Sequence, residues 1–249
     1  MSLDADLQFG FRLADAADAL TLARFRADDL RVETKPDRSP VSEADRAVEQ
    51  QLRELLAQSG RGEGVHGEEF GDDGTDSTWI VDPIDGTTSY IRGVPIWATL
   101  LALQREDEVV LGIASAPALG RRWWAIRGQG AFADGKAARV SAIAALEDAA
   151  VSTTSARRMP EGWREVVRRA WSNRGLGDFW QHCLVAEGAL DVATDGPYLH
   201  VWDYAATALI VEEAGGRFTT FDGSPPSDPS SALATNGLLH EQVMALLAS

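Results

Sequence analysis

Along the first 25 residues, apolar side chains recur at Leu7, Phe9, Phe11, Leu13, Ala17, Leu20, Leu22 and Phe25. The spacing is close enough to a helical stripe to predict one long amphipathic helix over Leu3–Phe25. A polar loop with Lys35, Pro36, Asp37, Ser39 and Pro40 interrupts the pattern. Ser42, with Asp45 three residues on, reads as a capping box opening a second helix that carries Val48, Leu52, Leu55 and Leu56 and stops near Gly60. Two helices are thus expected before the first strand. Beyond a Gly- and Asp-rich stretch from Gly60 to Thr78, Trp79-Ile80-Val81 predicts a short buried strand that runs straight into Asp82, Pro83 and Asp85. Further strands are predicted at Trp97–Leu103, Val109–Ser115 and Trp123–Ile126, spaced like a meander. Asp178–Leu190 and Tyr204–Ala214 read as helices, the second ended by Gly215-Gly216, and Leu238–Leu247 as a closing helix. Strands in the middle with helices on either side argue for a layered α+β or mixed α/β architecture. No internal repeat is visible, and Gly223–Ser231 is short enough to be a surface loop.

With 249 residues, 45% of them hydrophobic, the chain can bury a large core as one domain or two packed halves. The single Cys183 cannot form an internal disulfide. No apolar run approaches the 18 or so residues needed to cross a membrane, and the start MSLDADLQFG does not read as a secretory signal. A cytoplasmic protein is expected. The net charge of −15 opposes attraction to nucleic-acid phosphate or anionic lipid, so neither is an expected partner. An anionic substrate would then need a local source of positive potential, which bound metal cations supply.

The run from Trp79 to Thr87 carries the chemistry. Asp82 sits where a buried strand emerges and Asp85 three residues on in a turn, so both carboxylates can converge on one point. Pro83 offers no N–H, which leaves nearby carbonyls such as that of Ile84 free to act as ligands. Gly86 permits close approach to the main chain, and a short helix beginning around Thr87 would favour a phosphate at its N-terminus. Clustered carboxylates imply a neutralising cation. Oxygen-only donors point to Mg²⁺ or Mn²⁺, because none of His66, His182, His200 and His240 pairs with another at ligand spacing. Taken alone, Asp-Pro-x-Asp-Gly is also ordinary turn chemistry.

Three segments in order and spacing extend this reading: Gly67-Glu68-Glu69, Asp82-Pro83-Ile84-Asp85-Gly86-Thr87, and Val201-Trp202-Asp203-Tyr204-Ala205-Ala206 followed by Glu213-Ala214-Gly215-Gly216. With them the chain resembles the inositol monophosphatase superfamily of lithium-sensitive, Mg²⁺-dependent phosphatases over almost its whole length. The resemblance implies a layered αβαβα sandwich over 1–249, with approximate subdomains 1–140 and 141–249, and a homodimer. It implies Glu68, Asp82 and the Ile84 carbonyl at one Mg²⁺ and Asp82, Asp85 and Asp203 at a second, in a site of two or three ions where Mn²⁺ can substitute. It places Glu69 and Thr87 where they orient water, the amides of Gly86 and Thr87 on the phosphate, Asp45 beside the water, and Lys35 and Asp37 in a mobile loop over the metals. Structural readings stand beside some of these. Asp45 can be only a capping partner for Ser42, Glu69 a solvated loop acid, and Trp202 core packing.

Among substrates of the family, the segments Tyr90–Ala98, Pro117–Ala125 and Gly177-Asp178-Phe179 look most like the bacterial histidinol-phosphate phosphatases. That implies a small phosphate monoester, L-histidinol phosphate, with inositol 1-phosphate as the alternative. Histidinol carries an amine and an imidazole that call for acidic partners, and Asp178 is the first candidate unless it caps the helix that follows. Asp195 lies near a second substrate-contacting acid of the family, one residue further from Trp202-Asp203 than that pattern has it, which reads as an insertion.

Overall fold

The structure, a computed structural model, describes residues 2–36 and 38–248. Asp37, which the sequence puts in the polar loop with Lys35, lies outside them. Helix α1 (Leu3–Arg24) buries Phe9, Leu13, Ala14 and Ala17. Helix α2 (Glu43–Ser59) begins as expected, with the Ser42 N–H donating to Asp45 Oδ2 at 2.9 Å and Ser42 Oγ accepting the Ala44 N–H at 3.2 Å. Gly60, at φ +67°, ends it. The expectation of no strand before these helices are complete does not hold. Strands β1 (Val32–Thr34) and β2 (Pro40–Ser42) pair antiparallel between them. Every residue of β1 is exposed, so it leaves no apolar alternation to read.

Among the described residues, the main sheet has eight strands in the order β10-β9-β8-β7-β6-β5-β3-β4. They are β3 (Gly64–Gly67), β4 (Gly71–Asp72), β5 (Ser77–Asp85), β6 (Ala98–Arg105), β7 (Glu108–Ala116), β8 (Arg121–Ile126), β9 (Gly130–Ala133) and β10 (Lys136–Ala138). From β5 to β10 each strand pairs antiparallel with the next; β6 to β8 form the expected meander, and β9 and β10 extend it beyond what the sequence suggested. Strand β3 runs parallel to β5 inside the Gly- and Asp-rich stretch, where sequence showed only loop. Both faces of the sheet are buried: Trp79, Val81, Leu101 and Leu103 pack under α1 and α2, while Ile80, Leu100 and Ala102 belong to the core on the other side. That double burial is why these strands read as unbroken apolar runs.

Helix α3 (Thr87–Ile91) follows β5 directly. A second sheet, unanticipated from sequence, has the order β12-β11-β13-β15-β14. Its strands are β11 (Ala150–Thr153), β12 (Ser172–Arg174), β13 (Val192–Leu199), β14 (Arg217–Thr219) and β15 (Ser230–Thr235). Most are three or four residues long, and β13 contains Asp195-Gly196-Pro197, which reads as a turn. Helices α4 (Trp163–Arg169), α5 (Asp178–Ala186), α6 (Val201–Glu213) and α7 (His240–Leu247) complete the chain. Helix α5 stops short of Leu190, Gly188 taking a φ of +72° just beyond it. The layers are α1/α2, the eight-stranded sheet, α5/α6, the five-stranded sheet and α4/α7, an αβαβα sandwich.

Candidate active site

The site begins where β5 loses its regular register. Asp82 faces Leu100 and Asp85 faces Ala98, so three steps along β5 match two along β6. A regular strand sends residues three apart to opposite faces, and the extra residue of this bulge brings Asp85 back to the side of Asp82. Two hydrogen bonds fix the turn, from Thr99 Oγ1 to the Pro83 carbonyl at 2.8 Å and from the Ile84 N–H to Asp82 Oδ1 at 2.9 Å. The Ile84 carbonyl is not idle as expected; it accepts the Thr87 hydroxyl at 2.9 Å, which leaves it one lone pair. Gly86 takes φ +82°, and a Cβ there would lie 3.0 Å from the Ile96 carbonyl oxygen and 3.3 Å from Asp178 Oδ2. Only glycine fits this junction.

Asp203 arrives from the first turn of α6, where its Oδ2 accepts the His200 N–H at 2.6 Å. One carboxylate oxygen each from Asp82, Asp85 and Asp203 then lie within 4.8 Å of one another. Glu68 stands next to Asp82, but its Oε1 accepts from Lys35 Nζ at 2.7 Å, and the same ammonium reaches Glu69 Oε1 at 2.5 Å. Asp45 serves α2 as a cap and also accepts the Thr87 hydroxyl at 3.3 Å through Oδ1, so the capping contact and the contact toward the site coexist.

Burial and mutual repulsion shift these acids upward. Asp82 and Asp85 rise well above the usual carboxylate range, first through burial and then through neighbouring carboxylates, Glu68 foremost for Asp82 and Asp178 for Asp85. Burial, reinforced by Glu68, Asp195 and Asp178, pushes Asp203 up to about 8. Asp45 rises to about 6 through burial, with Glu68 and Glu69 adding to it. Such a group of oxygens is held together at neutral pH by protons or by a cation. All donors are hard oxygens, and none of the four histidines or Cys183 joins them among the described residues, so the set fits a hard divalent ion. Cys183 is fully buried in the core, as expected of a structural thiol.

Asp178 and Asp195 line the same cleft of about 850 Å³. Thr154, which sequence reasoning passed over, joins them: its Oγ1 donates to Asp195 Oδ2 at 2.6 Å and accepts the Asp178 N–H at 3.0 Å. Helix α5 is not capped by the Asp178 side chain; instead the Phe179 N–H donates to Asp85 Oδ2 at 2.7 Å. No donor among the described residues reaches the Asp178 carboxylate, which burial and the charge of Asp195 push up to about 7. Between Asp195 and Leu199 the pairing of β13 with β15 slips, the place where the sequence suggested an insertion. Trp202 lines the cleft as well as touching the core, stacked on His200 at 4.7 Å, rather than serving packing alone. Arg38 and Arg158, also unremarked in sequence, add cations to the cleft wall.

Comparison with known proteins decides the lineage. Residues 2–249 match the inositol monophosphatase family. The chain belongs to that family. Histidinol-phosphatases of Mycobacterium tuberculosis and Streptomyces coelicolor are 49% and 47% identical to it, covering 97% of this chain and 97% and 96% of their own. An IMPase structure from Thermotoga maritima superposes with a TM-score of 0.90 at 30% identity, over 98% of this chain and 97% of its own. The αβαβα sandwich is thus the fold of the family.

Proposed function

We propose that this chain is a Mg²⁺-dependent phosphomonoesterase that hydrolyses L-histidinol phosphate to L-histidinol and inorganic phosphate. The observation that carries the substrate is Asp178, a carboxylate that no donor among the described residues reaches, beside Asp195 in the cleft that also holds the Asp82–Asp85–Asp203 cluster. An ammonium or imidazolium gives such a pair both hydrogen bonds and opposite charge, whereas the hydroxyls of a neutral polyol give the hydrogen bonds alone. The names of the two histidinol-phosphatase relatives support the same choice.

In this reading Asp82, Asp85 and Asp203, with Glu68 and the remaining lone pair of the Ile84 carbonyl, hold two or three Mg²⁺ ions. Bound metal neutralises the acids, withdraws charge from the phosphate and lowers the pKa of water. The amides of Gly86 and Thr87 hold the phosphate. Thr87, with Asp45 behind it, and Glu69 orient the attacking water, and the Glu69 carboxylate accepts its proton as its oxygen bonds to phosphorus. The ester P–O bond breaks, and the alcohol leaves with a proton from solvent. Asp178 and Asp195 take the amine and imidazole. The reading carries a cytoplasmic homodimer, checked by light scattering, and inhibition by Li⁺ and by excess Mg²⁺.

A phosphate-release assay with histidinol phosphate, inositol 1-phosphate and glycerol 2-phosphate, each with Mg²⁺ and with EDTA, tests it. Mg²⁺-dependent release with the highest kcat/KM on histidinol phosphate is expected. A preference for inositol 1-phosphate would overturn the substrate, and turnover in EDTA would overturn the metal.

A further inference from the structure

Glu49 is a fully buried carboxylate on α2, one residue from Val48 and three from Leu52 on the helix's apolar face. A buried charge is costly unless fully partnered. Its partners are unusual for a core acid. Oε2 accepts the Glu69 N–H at 2.7 Å, and Oε1 accepts the Phe70 N–H at 3.1 Å together with Arg53 Nε at 3.0 Å and Nη2 at 2.9 Å. Arg53 also reaches the Gly71 carbonyl and Asp73 Oδ1, tying down the far side of the same turn. The fit leaves no room for a side chain at residue 67, where a Cβ would fall 2.1 Å from Glu49 Oε1.

The turn held this way is the one that carries Glu68 and Glu69. We infer that Glu49, braced by Arg53, is a positioning residue that sets Glu68 over the acidic cluster, so that cation affinity depends on a carboxylate that never touches the cation. The inference rests on the reading of Glu68 as a metal ligand. Groups that bond a ligand directly typically govern metal affinity by ten- to a hundredfold, and Glu49 acts one step removed, through the backbone of the turn.

The test is Mn²⁺ binding to substrate-free protein, followed by the electron paramagnetic resonance signal of free Mn²⁺, beside Mg²⁺ titration of activity. Glu49→Gln keeps the shape but turns an amide N–H toward a donor. It is expected to weaken Mn²⁺ binding and raise the Mg²⁺ midpoint about tenfold. Arg53→Lys, which loses the fork but not the charge, is expected to shift both midpoints in the same direction by a smaller factor, and it carries the test if Glu49→Gln does not fold. Unchanged Mn²⁺ affinity in the folded variants, with only a lower melting temperature, would overturn the inference. A parent protein that binds no Mn²⁺ would instead overturn the assignment of the metal site.

Discussion

In the proposed reading, Asp178 is the residue on which the substrate turns. It opens α5 at φ +50° with its carboxylate in the cleft, and it makes no capping bond, so its removal costs the helix nothing through that route. A charge-assisted hydrogen bond to a bound cation contributes about 1.5–3 kcal/mol, and about 1.4 kcal/mol is tenfold. Asp178→Asn is therefore expected to lower kcat/KM for histidinol phosphate by roughly ten- to a hundredfold, to leave glycerol 2-phosphate nearly untouched, and to melt no lower than the parent. Equal losses on both substrates would remove Asp178 from substrate recognition. At Asp203 the outcomes separate differently. Asp203→Asn keeps an oxygen for the His200 N–H but removes an acid that the metal-free fold must hold protonated or leave charged beside its neighbours. Turnover should fall by several orders of magnitude while the metal-free protein melts higher, the familiar opposition of site and scaffold. Near-normal Mg²⁺-dependent turnover would dismiss Asp203 as a ligand.

At the scale of elements, the junction of β5 with α3 concentrates the geometry. Gly86→Ala must adopt a left-handed backbone, at about 1–2 kcal/mol, and press its methyl toward the Ile96 carbonyl and Asp178. Loss of activity together with a lower melting temperature is expected, and a variant as active as the parent would mean that the turn is not held as tightly as its contacts indicate. Elements with strong signals were legible in the sequence. The capping box of Ser42 and Asp45, the apolar run of β5 and the meander of β6 to β8 all formed where expected. The short strands of the second sheet were not legible, because three or four residues cannot display a period and because Asp195-Gly196-Pro197 in β13 spells a turn. In the site, sequence supplied the acids but not their holders. Thr154 is one hydroxyl in a run of Ser152-Thr153-Thr154-Ser155 with nothing to single it out. Glu49 did leave a trace, an acid among the apolar positions of α2, whose meaning depended on a turn distant in sequence.

For the whole molecule, the buried acids make stability a function of pH and metal together. Asp45, Asp178 and Asp203 bind protons more tightly in the folded chain than at their ordinary 3.8, with values of about 6, 7 and 8. The native state therefore holds more protons than the unfolded one between these limits, and the stability this provides is complete below about pH 4 and is lost as pH climbs toward 8. In EDTA the melting temperature should fall across that window, and saturating Mg²⁺ should flatten the fall by replacing protons with a cation. A metal-free melting temperature that rises across it would contradict the burial of these acids.

The eight-stranded sheet ends at Ala138 and the second begins at Ala150, yet the layer of α5 and α6 lies between them and fills the core that both share. Phe179 on that layer clasps Asp85, and the acids of the cleft divide between Glu68, Asp82 and Asp85 before the seam and Asp178, Asp195 and Asp203 after it. Severing the chain at the seam would thus produce no half-enzyme. Each fragment would keep a naked apolar face and an incomplete set of oxygens, and catalysis would return only with their reunion.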